Sequence, residues 1–257
     1  EIDLADLNDE DSAAETTTSI TRLTARGANR VVVCFDNDDA THCESQFKRI
    51  AFNSYPRHLL GAVPMLFASE LAEDVSSNRR GWTALVNSFL HPAMESFLYN
   101  AENRLREYRT KNPLLIFRND GDASRVAKTI ALKTYSSGPR GGMEGVKEFS
   151  KQYKLNNVIS MDIGGTTTDI GQVINNTVSE SRRGTVEGVP ISFGLCEISS
   201  PGVGGSSIFS INGKDIQVGP ESVGAVPGPA SFGRGGKEST MTDVNLLMGL
   251  LDPQTFF

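Results

Sequence analysis

The chain has 257 residues, of which 38% are hydrophobic and 22% are charged, as in ordinary globular proteins. Its net charge of -6 argues against nonspecific nucleic-acid binding, which needs a basic surface. No stretch approaches the roughly 20 apolar residues that cross a bilayer, so we expect no membrane partner.

The three cysteines are scattered along the chain and show no metal-ligand spacing. This favours a reduced, cytoplasmic compartment, and no signal peptide is visible. Because the sequence begins with Glu1 and ends in two aromatic residues, we expect it to be a piece of a longer polypeptide.

Strand-like and helix-like segments alternate up to about residue 155, after an acidic lead-in over 1–12. Short apolar runs predict strands over 30–35, 63–68 and 114–117. Apolar residues at helical spacing predict helices over 12–25, 41–55, 81–108 and 141–153, and Pro92 is expected to kink the third helix or to begin another. A helical turn over 124–127 and a strand over 129–132 are also predicted. This alternation indicates an α/β fold with a largely parallel sheet.

Beyond residue 155 glycine-rich loops separate short β-like pieces, which are predicted over 170–174, 189–193, 208–211 and 216–218. The stretch 219–236 is too rich in Gly and Pro for regular structure, and we expect it to line a site or an interface. Thr242 and Asp243 are predicted to cap a last helix rather than to act in catalysis.

The segment 157–171 is the most informative one. An apolar strand ends in Asp162, and Gly164 and Gly165 are followed by three threonines, Asp169 and a second apolar strand. Glycines let backbone N–H groups approach an anion closely, and threonine hydroxyls add donors. An ordinary Gly-Gly hairpin with threonines as strand formers is the alternative.

The two acids of this segment indicate a metal. Asp162 and Asp169 would repel a phosphate, but they can hold Mg²⁺ through water. A magnesium nucleotide is therefore the simplest ligand. A second loop, 201–207, could reach the same ligand, whereas 119–121 is favoured as an ordinary turn and 136–142 as a packing segment at a helix start.

Several collinear motifs resemble the hydantoinase A/oxoprolinase family. The run from Asp162 to Asp169 is similar to its second phosphate loop, and 137–142 is similar to its Ser-Gly-Pro-Ala-Gly-Gly segment with Arg140 in place of alanine. The stretches 218–236 and 242–253 resemble its Gly-Pro loop and the helix that follows. The resemblance covers most of the chain.

The resemblance implies an actin-like ATPase (ribonuclease H-like) fold in which α/β domains hold Mg-ATP. Residues 1–137 would be the remainder of the first domain, and 138–257 the second, with a connecting helix, the phosphate hairpin and a Gly/Pro-rich irregular β insertion. Asp162 and Asp169 would be catalytic and hold Mg²⁺. The nucleotide would be bound by Gly164, Gly165, Thr166, Thr167, Thr168, Gly204 and Gly205.

The implied activity is the opening of a cyclic amide, such as hydantoin or 5-oxoproline, after ATP activates its carbonyl. The alternatives are an ATP-dependent carboxylase of the same family, a nucleotide-binding switch, and a binding module. The implied partners are a hydantoinase B-type subunit or domain, the cyclic amide, and further copies in an oligomer. The family's first phosphate hairpin and its adenosine motif have no counterpart here, so we expect a central fragment that is inactive alone.

Overall fold

The computed structural model describes residues 10–58 and 61–256, so the acidic lead-in up to residue 9 lies outside it. The fold is mixed α/β, and its residues divide into two packing units. The first unit comprises the chain up to Ser137 together with 181–195, and the second comprises 138–180 and the chain from Cys196 onward. The contiguous division into 1–137 and 138–257 remains a prediction about domains, because the units are discontinuous.

The first unit begins with helix α1 (Glu10–Ala25), strand β1 (Val31–Val33), helix α2 (Ala40–Ser54) and strand β2 (Met65–Phe67). The two strands pair in parallel, as predicted, although each is shorter than its apolar run. Both helices bury apolar residues against them. The core that results contains Ile20, Val31, Val33, Phe47, Ala51 and Phe67.

A short helix α3 (Ala68–Leu71) leads into the long helix α4 (Ser77–Glu107). Pro92 lies inside α4, and no second helix begins there. Strands β3 (Leu115–Phe117) and β4 (Ala123–Arg125) follow as an antiparallel pair. The expectation of a largely parallel sheet up to residue 155 is therefore wrong, since one of the two strand pairs described in that part is parallel and the other is antiparallel.

The predicted strand over 129–132 is also wrong, and the helical turn predicted over 124–127 lies two residues later. This segment holds β4 and two 3₁₀ turns, Val126–Lys128 and Ala131–Thr134. Side chains satisfy its backbone: Leu132 N donates to Asn87 Oδ1 at 3.0 Å, and Leu132 O accepts from Asn119 Nδ2 at 3.2 Å. Because these amides bind the Leu132 backbone, no strand partner is needed there.

The second unit contains most of helix α5 (Ser137–Gln152), which begins four residues earlier than predicted, and strands β5 (Asn157–Ile163) and β6 (Thr168–Ile174). The strands form an antiparallel hairpin. Val158 and Val173 on one of its faces pack against Met143 of α5. The opposite face of β5 exposes Ile159, Met161 and Ile163.

Short strands follow the hairpin: β7 (Thr177–Val178), β8 (Glu180–Ser181), β9 (Thr185–Val186), β10 (Val189–Pro190), β11 (Leu195–Cys196) and β12 (Ile198–Ser199). The next elements are strands β13 (Ser207–Asn212) and β14 (Asp215–Ser222) and helices α6 (Met241–Leu247) and α7 (Pro253–Phe256). Strand β14 enters the Gly/Pro stretch 219–236, which otherwise holds one 3₁₀ turn, Ala230–Phe232. Thr240 caps α6, two residues before the predicted position.

Candidate functional site

The loop between β5 and β6 is a tight, exposed turn. Gly164 N donates to Thr167 O at 2.9 Å and closes it. Residues 164–167 are all exposed, and a Cβ on Gly164 would lie 3.1 Å from Thr167 O. A side chain would therefore crowd the turn, which explains the glycine at this position.

Three consecutive backbone amides of this loop are open. Within residues 10–58 and 61–256, the N–H groups of Gly165, Thr166 and Thr167 donate to no backbone carbonyl. The hydroxyls of Thr166 and Thr167 stand on the same exposed turn. Successive unpaired amides form a concave, positively polarised surface that suits a phosphate.

The two carboxylates flanking the loop lie side by side. Asp162 and Asp169 are direct cross-strand partners, so their side chains share one face of the hairpin with Cβ atoms about 5 Å apart. Asp169 Oδ1 accepts a hydrogen bond from Ser200 Oγ at 2.5 Å. Adjacent like charges repel, and a cation beside them would relieve that repulsion. This donor set suits Mg²⁺, which binds one or two carboxylates and keeps several waters.

Thr168 differs from the other two threonines. It is buried, and its Oγ1 donates to Val203 O at 2.6 Å while its amide donates to Pro201 O at 3.1 Å. Both of its donors are thus used inside the unit. Its side chain holds the segment 201–203 against the start of β6, while its predicted contact with nucleotide stays a prediction.

Gly204 and Gly205 lie behind the loop. Gly205 N donates to Gly164 O at 2.9 Å, and Gly204 N donates to Ser207 Oγ at 2.8 Å. A Cβ on Gly204 would come within 2.7 Å of both Gly164 O and Gly165 O. Because both amides already donate, the structure gives these glycines a supporting position, and their predicted nucleotide contacts stay a prediction.

Helix α6 in turn supports a second layer, the loop that contains Gly204 and Gly205. The amide and hydroxyl of Thr242 both donate to Gly205 O, at 2.8 and 2.9 Å. Asp243 closes a capping box with Thr240 and also accepts from Ser231 N at 2.8 Å. Burial alone would raise the pKa of Asp243, but the hydrogen bonds from Ser231 and Thr240 outweigh it and lower the pKa to about 2. Asp243 is therefore a capping residue, as the sequence predicts.

Two other loops singled out in the sequence have structural partners. Gly121 takes a positive φ of 84° in a turn that Asp120 closes through Lys133 Nζ and Arg118 Nη2, both at 3.0 Å. At the start of α5, buried Arg140 pairs with Glu144 at 2.7 Å and with Glu180. Neither arrangement leaves an open anion site among these residues.

Sequence reasoning missed a polar cluster in the first unit. Asp74 is almost completely buried and pairs with Arg79 Nε at 3.0 Å and Arg183 Nη2 at 3.2 Å. Burial would raise the pKa of Asp74, but hydrogen bonds from Ser76 and Arg79 and the charge of Arg183 lower it. These residues are spread over 110 positions, and no local motif marks them.

Two negative findings apply to the described residues. None of their helices has the length and apolar character needed to cross a membrane. No group of three or more His, Cys, Asp or Glu side chains is placed to hold a metal, so a cation at the hairpin would rely on two carboxylates.

The hydantoinase/oxoprolinase family model matches residues 80–257. The acetophenone carboxylase gamma subunit of Aromatoleum aromaticum is 27% identical over 245 residues, which cover 93% of this chain and 33% of that subunit. The 5-oxoprolinase of Saccharomyces cerevisiae is 30% identical over 200 residues, which cover 77% of this chain and 15% of the enzyme.

Among solved structures, the ATP-dependent caprolactamase of Pseudomonas jessenii superimposes with a TM-score of 0.70 at 24% identity. The match covers 94% of this chain and 35% of that one. The chain spans between 15% and 35% of the length of these relatives. The chain belongs to the hydantoinase/oxoprolinase family.

Proposed function

We propose that the loop Gly164–Thr167 binds the phosphates of ATP and that the full-length protein uses this ATP to open a cyclic amide. The observation that carries the proposal is the row of three exposed, unpaired amides at Gly165, Thr166 and Thr167. A row of this kind binds an anion through backbone donors alone. The adjacent threonine hydroxyls extend it.

The paired acids complete the nucleotide site in this proposal. Asp162 and Asp169 would hold Mg²⁺, which when bound neutralises charge on the phosphates. The Ser200 hydroxyl fixes the Asp169 carboxylate, and the second layer, Gly204 and Gly205, fixes the turn itself. In this proposal, the residues that hold and position ATP lie in one hairpin and in the segment that supports it. An actin-like fold, with its second phosphate hairpin at this position, belongs to the same proposal.

ATP can open a stable amide because phosphorylation of the carbonyl oxygen turns a poor electrophile into one with a leaving group. The similarity to a 5-oxoprolinase and to an ATP-dependent caprolactamase supports a cyclic amide as substrate. The similarity to an acetophenone carboxylase subunit supports a second candidate, ATP-dependent carboxylation of a ketone. A hydantoinase B-type partner, an oligomeric assembly and a cytoplasmic location accompany both candidates.

The test is substrate-dependent ATP turnover by the full-length protein with its co-expressed partner. ADP release would be measured with 5-oxoproline, hydantoin and caprolactam, and separately with acetophenone and bicarbonate. We expect a cyclic amide to stimulate turnover and to yield the ring-opened product, and Asp162→Asn to abolish both. Stimulation only by a ketone with bicarbonate would establish the second candidate. ATP turnover that depends on neither substrate class would indicate a nucleotide switch.

A further inference from the structure

A cavity of about 390 Å³ lies in the first unit, where the parallel strands β1 and β2 end. Its walls come from the loop after β1, the start of α3 and the loop before α4. Crevices at the carboxyl ends of parallel strands are common ligand sites, and this volume falls within the usual range for small molecules. The polar residues that line it include Asn37, Asp38, Ser69, Glu73, Arg80 and Arg183.

Arg80 contributes a buried positive charge to this cavity. It is 5% exposed, and its guanidinium donates to Val75 O at 3.2 Å, to Phe35 O at 2.8 Å and to Asp74 O. All three acceptors are neutral carbonyls. Across the described residues no carboxylate forms an ion pair with Arg80, and its Nε has no hydrogen-bond partner. A buried cation with no carboxylate at ion-pairing distance is costly, so this wall favours an anionic ligand group.

The other side of the cavity carries negative charge. Asp74 is neutralised by Arg79 and Arg183, but Asp38 and Glu73 are exposed and form no ion pair among the described residues. A simple anion such as phosphate would meet repulsion from these two acids, and a simple amine would meet Arg80 and Arg183. A ligand with a negative charge at one end and a positive charge at the other would be complementary to both sides of the cavity.

We propose that this cavity binds an amino acid, with its carboxylate toward Arg80 and Arg183 and its ammonium toward Asp38 and Glu73. The Ser69 hydroxyl, which donates to Glu44 Oε2 at 2.6 Å, would accept a hydrogen bond from the ammonium, and the amide of Asn37 would add another. The identity of the physiological ligand rests on the proposed function. When water opens a simple lactam, the C–N bond breaks, the carbonyl carbon takes the hydroxyl as a carboxylic acid that ionises, and the nitrogen takes the proton and becomes an ammonium. Caprolactam then gives one carboxylate and one ammonium, 5-oxoproline gives the same pair beside its existing carboxylate, and both products are amino acids of the class proposed for this cavity.

Calorimetric titration of the full-length protein without nucleotide tests this proposal. The probes are L-glutamate and 6-aminohexanoate, compared with glutarate, which lacks the ammonium, and hexylamine, which lacks the carboxylate. We expect at least one amino acid to bind saturably at one site and at least tenfold more tightly than both comparison compounds. We expect Arg183→Gln to weaken that binding at least tenfold. Arg182→Gln is the matched control, because Arg182 is an exposed neighbour outside the cavity lining.

Three outcomes would overturn the proposal: no saturable binding of either amino acid, equal binding of glutarate, or equal effects of the two arginine variants. If Arg183→Gln does not fold, Glu73→Gln replaces it, with a tenfold loss of amino-acid binding expected and glutarate binding unchanged or tighter, because the substitution removes a repelling carboxylate. The assay contains no ATP and measures no turnover. A failure of amino-acid binding is therefore distinguishable from a failure of the phosphate site.

Discussion

Gly204 lies so close to Gly164 that a Cβ on Gly204 would come within 2.7 Å of the Gly164 carbonyl oxygen. The close approach is between two backbone segments, and neither segment can shift without moving the turn that carries the open amides. The proposed phosphate loop is therefore positioned by a second glycine loop, which α6 holds through Thr242. Backbone support of this kind keeps amide donors fixed without side chains that would block an anion.

Substituting Gly204 with alanine should distort the loop. We expect Gly204→Ala to lower the free energy of unfolding by about 1–3 kcal/mol, because overpacking against backbone is poorly relieved. Urea denaturation measures this change. Gly145→Ala is the control: Gly145 is helical with nothing within 4 Å of a Cβ, so alanine should be neutral or stabilising by up to about 1 kcal/mol. Equal stability of both variants would contradict the account.

Substitutions at Thr166 and Thr168 should differ in their effects, one on nucleotide affinity and the other on folding stability. Thr168→Val removes the donor to Val203 O and leaves a carbonyl without its partner, which should cost about 1–3 kcal/mol of unfolding free energy. Thr166→Val alters an exposed loop residue, so its stability should stay within about 0.5 kcal/mol while its affinity for Mg-ATP falls. Denaturation paired with nucleotide titration of both variants tests this contrast. The opposite pattern would assign the phosphate contact to Thr168.

The low pKa of Asp243 should make the free energy of unfolding depend on pH in the acidic range. The folded pKa of Asp243, about 2, lies below the ordinary aspartate value of 3.8, so its contribution to stability is full above pH 4 and is lost as the pH falls toward 2. The shift corresponds to at most about 2 kcal/mol. Denaturation at pH 6 and pH 3 should show a larger loss in the wild type than in Asp243→Asn, which lacks the titrating carboxylate. Identical losses would rule out this role.

Arg140 should stabilise the start of α5. Replacing it with glutamine removes the cation that Glu144 and Glu180 share, although Glu144 keeps its ion pair with Lys147. We expect a loss of about 1–3 kcal/mol, below the value for a fully buried pair because Glu180 is half exposed. Lys151→Gln breaks an exposed pair with Glu148 and should change stability by less than about 0.5 kcal/mol. Thermal unfolding of both variants measures the difference. If Arg140→Gln loses no more stability than Lys151→Gln, the ion pairs of Arg140 contribute nothing to stability.

Features encoded in one short segment were predictable from sequence. The hairpin around Gly164 was predicted because its strands, glycines and acids are contiguous, and α6 because apolar spacing and Asp243 mark it. Features that depend on distant side chains were not. The segment around Leu132 reads as a strand, but Asn87 and Asn119 bind its backbone. The cavity beside Arg80 was missed because its lining comes from separate elements.

The most direct test of the central claim is calorimetric titration of the full-length protein with Mg-ATP, beside Asp162→Asn and Glu148→Asn, the latter an exposed acid outside the hairpin. The account predicts saturable binding that Asp162→Asn weakens at least tenfold and that Glu148→Asn leaves unchanged. Wild-type binding that Asp162→Asn does not weaken would contradict a magnesium-nucleotide site built on this hairpin. Absence of binding to the wild type would contradict a phosphate site at Gly164–Thr167.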